Sequence, residues 1–102
     1  MSRFSSLNAQ DLIALRASGK EFSLIDVREQ GDWNDGHLPE ATHLPLGSIE
    51  FYAPRLFPDR TKPLVVYCMT HKRSMLAAEL LERLGYTNVS YLEEGYLGAT
   101  ES

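Results

Sequence analysis

A single cysteine, Cys68, stands in this chain of 102 residues. That excludes an intrachain disulfide framework and any multi-cysteine zinc or iron–sulfur centre. Long apolar runs are missing too, and no stretch approaches the length of a membrane span. The opening Met1-Ser2-Arg3-Phe4-Ser5-Ser6 has neither the apolar centre nor the cleavage pattern of a secretory leader. A soluble, cytoplasmic protein without a membrane partner is therefore expected. An excess of basic residues is lacking: Lys and Arg number 10 against 14 Asp and Glu. The formal net charge of −4 makes the chain a poor candidate for binding nucleic acid. There are no repeats, low-complexity tracts or linkers. What remains is one domain's length of ordinary globular composition, enough to bury a core without staples.

The pattern that is present alternates strands with helices. Asn8 to Ser18 reads as a helix, with Asn8 as cap, Asp11 in the first turn and Leu12, Ile13 and Leu15 as its apolar face. Gly19 is its stop signal. Phe22 to Val27 reads as a buried strand, Glu29 to Asn34 as a short helix, and Ala41 to Leu44 as a weaker strand between Pro39 and Pro45. Ser48 to Leu56 is helical in tendency, limited by Pro54. Leu64-Val65-Val66-Tyr67 is an uninterrupted apolar run, the signature of a central parallel strand. After the polar segment from Met69 to Ser74, Met75 to Leu84 reads as a helix. Leu76, Leu80 and Leu84 form one row, with Ala77 and Leu81 beside it. Val89 to Leu92 is a last strand. The order implies an α/β domain around a mostly parallel sheet. The aromatic group Phe51, Tyr52 and Phe57, with Leu56, reads as core or pocket rim rather than a docking patch.

A lone cysteine is either an inert core residue or a reactive thiol, and position favours the second. In open α/β sheets, ligands bind beyond the carboxyl ends of the strands. Cys68 ends the strongest strand and precedes a helix. The unpaired N–H groups and dipole of that helix, with Lys72 and Arg73 nearby, favour the thiolate over the thiol. The same arrangement would accept a second anion.

These residues resemble a known family. Leu24-Ile25-Asp26-Val27-Arg28-Glu29, Gly36-His37-Leu38-Pro39-Glu40-Ala41, and Val65-Val66-Tyr67-Cys68 with Arg73-Ser74 are similar to the motifs of single-domain rhodaneses, the thiosulfate sulfurtransferases. The resemblance runs from about Leu12 to Gly95. It implies a rhodanese-like fold over residues 1–102, with helices on both faces of the sheet. After the last strand there is room for little more than one helical turn, in place of the family's usual C-terminal helix.

The resemblance also implies an activity. Cys68 would take a sulfane sulfur from a small anionic donor such as thiosulfate, hold it as a persulfide, and pass it to cyanide, a thiol or a protein. No metal or organic cofactor is implied. Met69, Thr70, His71, Lys72 and Arg73 would form the substrate-binding loop, and Asp26, Arg28 and Ser74 would support it. A surface or interdomain ion pair is an equal reading of Asp26 and Arg28. Two other functions stay in view: a non-catalytic binding or redox-sensing module, and a phosphatase or arsenate reductase of related fold. The latter group uses a Cys-x5-Arg loop, whereas Cys68 to Arg73 is Cys-x4-Arg, a tighter ring of donors.

One departure falls in the loop. His71 stands where many rhodaneses have Gly, which suits a positive φ better than His does. It reads as a solvent-facing loop residue in preference to a shaper of the pocket mouth. His37 and His43 show no ligand spacing and read as structural.

Overall fold

The computed structural model describes residues 4–101. Five strands form one sheet: β1 (Ser5–Leu7), β2 (Ser23–Asp26), β3 (Thr42–His43), β4 (Leu64–Tyr67) and β5 (Val89–Leu92). Their spatial order is β1-β5-β4-β2-β3 and every pairing is parallel. The apolar run Leu64–Tyr67 is thus the central strand, and all four of its residues are buried. Strand β1 has no counterpart in the sequence reading. It is three residues long, serine-rich and largely exposed, so it carries no apolar signal; pairing of Ser5 to Leu7 along β5 creates it.

Side-chain alternation along the strands divides the core in two. Ile25, Leu64, Val66 and Cys68 pack on one face with Ala53 of α3 (Ile49–Leu56) and Ala77 and Leu81 of α4 (Lys72–Arg83). Leu24, Val65 and Tyr67 pack on the other with Leu12 of α1 (Ala9–Ala17) and Tyr96 of α5 (Gly95–Glu101). Helices therefore cover both faces. The remaining helix, α2 (Gln30–Asp35), follows β2.

Local chemistry accounts for most boundaries. Asn8 and Asp11 close a reciprocal capping box at the start of α1. Ile13, expected on the inner face of α1, is exposed instead. Helix α4 begins at Lys72, three residues before the apolar pattern starts. Its buried stripe is Ser74, Ala77, Ala78 and Leu81; Leu76 lies outside it and is 56% exposed. A helix close to a sheet buries small residues, and two alanines let α4 approach where a leucine row would hold it off. On α3, Phe51, Tyr52 and Leu56 are exposed, and only Phe57 of that aromatic group packs against the core. The segment after β5 forms α5, seven residues or about two turns, where little more than one turn was expected.

Candidate active site

The carboxyl ends of β2, β4 and β5 converge on one edge of the sheet. Register sets Asp26 beside Tyr67, so the chain leaving β2 runs next to the chain leaving β4. Cys68 is the first residue past β4 and is buried. The loop from Cys68 to His71 then enters α4, whose N-cap, His71, has no side-chain capping bond.

The backbone of this loop is oriented from behind. The Cys68 carbonyl accepts from the Tyr96 N–H at 2.8 Å, and the Met69 carbonyl from the Leu97 N–H at 3.4 Å. A trans peptide sets its N–H opposite its C=O. Fixing these carbonyls against α5 turns the N–H groups of Met69 and Thr70 the other way. Among the described residues, the N–H groups from Met69 to Ser74 have no protein acceptor. A run of free donors at a helix N-terminus beside a thiol is an anion cradle.

A cavity of about 350 Å³ opens on this cradle, lined by Arg28, Asp32, Cys68, Met69, Thr70, Lys72 and Arg73. A comparable cavity of about 380 Å³, between Arg16 and Glu40, lies where β2 begins and holds no nucleophile. Of the expected loop residues, His71 alone is absent from the lining. It is exposed, and its φ of −140° requires nothing that only Gly supplies. Ser74 is buried beneath the loop. Its hydroxyl donates to the His71 carbonyl at 2.9 Å, and its Oγ stands 3.8 Å from the Cys68 Sγ.

Asp26 and Arg28 do not form a surface ion pair; both are at most 2% exposed. The Arg28 Nη2 meets the Asp26 Oδ2 at 2.8 Å and the Gly36 carbonyl at 2.6 Å, while Nε bridges both carboxylate oxygens. The guanidinium also lies 4.1 Å from the centre of the Tyr96 ring. Burial works against its charge, but the bond and charge of Asp26 outweigh that. With smaller help from Tyr67 and Asp32, they hold its pKa above the ordinary value. Arg28 also lines the cavity.

The site is less positive than the sequence suggested. Arg73 Nη1 lies 3.4 Å from Glu29 Oε1. Asp32, which no motif singled out, belongs to the same wall. Its position was foreseeable only from the geometry of α2, whose first turn it occupies. His37 and His43 are drawn together by stacking on Trp33, with ring centroids 3.5 and 4.9 Å away. His43 Nε2 sits 2.8 Å from the Arg28 carbonyl and so braces the chain leaving β2.

Comparison with known proteins shows the family and the fold. Residues 8–102 match the model of the rhodanese-like domain. The chain is 31% identical over 96 residues to the thiosulfate sulfurtransferase GlpE of Pseudomonas savastanoi, covering 94% of this chain and 87% of that protein. It is 33% identical over 81 residues to the uncharacterized protein YqhL of Bacillus subtilis, covering 79% of this chain. It spans only 63% of that relative's length. Among solved structures, a Rhodopseudomonas palustris protein described as a possible tyrosine phosphatase superimposes with a TM-score of 0.86 at 28% identity. That match covers 96% of this chain and 80% of the other.

Proposed function

The chain belongs to the rhodanese-like domain family, and from that premise we propose that it is a sulfurtransferase carrying sulfane sulfur as a persulfide on Cys68. One observation carries the reading: the buried thiol lines a cavity and is followed by a run of N–H groups that have no protein acceptor among the described residues. In the first step the Cys68 thiolate attacks the outer sulfur of a donor such as thiosulfate. A new S–S bond forms, the donor's S–S bond breaks, and sulfite leaves with the electron pair. The N–H groups then hold the negative terminal sulfur of the persulfide. The Ser74 hydroxyl can rotate from the His71 carbonyl toward the sulfur when negative charge develops there. In the second step an external nucleophile, cyanide or a thiol, attacks the terminal sulfur and Cys68 departs as thiolate. With no second cysteine in the chain, no internal thiol can resolve the persulfide, so its sulfur passes to an outside acceptor.

Intact mass after incubation with thiosulfate tests this. A gain of one sulfur is expected, lost as thiocyanate when cyanide is added and absent in Cys68→Ser. No adduct and no turnover would remove the catalytic claim, and sulfenic acid formation at Cys68 under peroxide would then favour a redox-sensing module. The phosphatase description of one structural neighbour supports a second assay, with an aryl phosphate. The Cys-x4-Arg spacing supports no hydrolysis there.

A further inference from the structure

We propose that Asp32 makes this site selective for sulfur donors of low negative charge, such as a persulfide or a thiosulfonate, over dianionic thiosulfate. The inference rests on the sulfurtransferase reading and concerns which donor the cavity admits. Three cations line the cavity: Arg28, Lys72 and Arg73. Arg28 is neutralised by Asp26 at 2.8 Å and Arg73 is paired with Glu29 at 3.4 Å. Lys72 alone has no ion-pair partner among the described residues, and Asp32 places a carboxylate in the same wall. The three cations are matched by three carboxylates, Asp26, Glu29 and Asp32, and the Cys68 thiolate adds one negative charge of its own. An arriving donor therefore meets no net positive charge, with the N–H cradle as the main anion-holding element.

That cradle suits the single charge of a terminal sulfur. Thiosulfate brings a second charge that has no free cation beyond Lys72 and that faces Asp32. A cavity of about 350 Å³ with Met69 in its lining also has room for an organic substituent on the donor, which a small oxyanion leaves unfilled. With methanethiosulfonate, Cys68 attack forms one S–S bond and breaks another, and methanesulfinate leaves with the electron pair. The products carry the same total charge as the reactants. With thiosulfate the leaving group is sulfite, and the step differs by one extra negative charge throughout.

Coulomb repulsion scales with donor charge, so removing Asp32 acts on thiosulfate as the square of its effect on a monoanion. The experiment is single-turnover loading of Cys68, followed by intact mass at low ionic strength, with thiosulfate and with methanethiosulfonate. Asp32→Asn is expected to load about threefold faster from methanethiosulfonate and about tenfold faster from thiosulfate, an advantage that added salt shrinks. Asp32→Glu is expected to keep the wild-type donor ratio. Asp32→Ser, which removes the same charge with a different side chain, has to reproduce the Asn ratio. An equal change for both donors, or an unmoved ratio, overturns the inference. If the wild type loads while the ratio stays fixed, only this inference fails. If the wild type loads from neither donor, the sulfurtransferase reading fails and takes the inference with it.

Discussion

At the scale of single residues, the Asp26–Arg28 pair is the largest electrostatic commitment in the described structure. Two opposite charges are buried together, and each depends on the other for solvation. Removing one partner strands the other without water. Asp26→Ala is expected to lower unfolding stability by about 3–5 kcal/mol, measured by urea titration. A loss under about 1 kcal/mol would mean that water reaches Arg28, contrary to its burial. The motif singled these two residues out, as supports of the loop or equally as a surface or interdomain ion pair. Their burial was not legible, because two charged residues either side of Val27 look alike on paper whether solvated or enclosed. Asp32 was not legible at all. An aspartate in the first turn of a short helix is ordinary helix chemistry, and only the fold of that helix over the Cys68 loop gives it a role.

At the scale of elements, the Cys68 loop is shaped by its contact with the start of α5. Gly95 has φ of +65°, and a Cβ there would run into the carbonyl oxygens of Thr70 and Met69. This contact turns the loop carbonyls away from the cavity and leaves the N–H groups facing it. Gly95→Ala is therefore expected to disturb the loop far more than the sheet. Sulfur loading of Cys68 is expected to fall about 100-fold, with the amide resonances of Met69 to His71 displaced and the far-ultraviolet spectrum retained. Loading at the wild-type rate would show that α5 does not orient the loop. The helix after β4 teaches a related lesson. Its existence was plain from the apolar spacing, but its rotation was not. The row Leu76, Leu80 and Leu84 draws the eye, but Leu76 is exposed and Leu80 and Leu84 are only partly buried, whereas close approach to the sheet selects the stripe with Ala77, Ala78 and Leu81.

At the scale of the whole molecule, two buried tyrosines tie layers together from opposite faces. Tyr67 accepts the Leu38 N–H at 3.0 Å on the α1 and α5 side. Tyr86 donates to the Ala53 and Phe57 carbonyls at 2.9 and 2.6 Å on the α3 and α4 side. Burial raises the pKa of both phenols above the usual 10.0. Below that value both are neutral in the folded and unfolded chains, and their stabilisation is fully present. Above it the unfolded chain releases the phenol protons first, so stability falls as pH rises toward the folded-state values. The urea midpoint is expected to hold level, as far as these groups are concerned, up to about pH 10 and to drop beyond it. Tyr86→Phe should cost about 1–2 kcal/mol at neutral pH from the lost hydrogen bonds and should flatten the alkaline fall. An equal alkaline fall in that variant would show that Tyr86 does not contribute to it.

The sequence by itself determined the α/β alternation, the central strand, the capped first helix and the placement of the one thiol past a strand end. These follow from periodicity and from residues a few positions apart, which act before any distant contact forms. The tertiary structure alone decided the charge balance of the cavity, the burial of Asp26 and Arg28, the rotation of α4 and the pairing of Ser5 to Leu7. Each depends on which strands become neighbours. Parallel pairing of β2 with β4 brings two loops separated by some forty residues to one edge. There Asp32 and Glu29 meet the Cys68 loop, and a cysteine followed in sequence by two cations comes to sit in a site whose cations are matched by carboxylates.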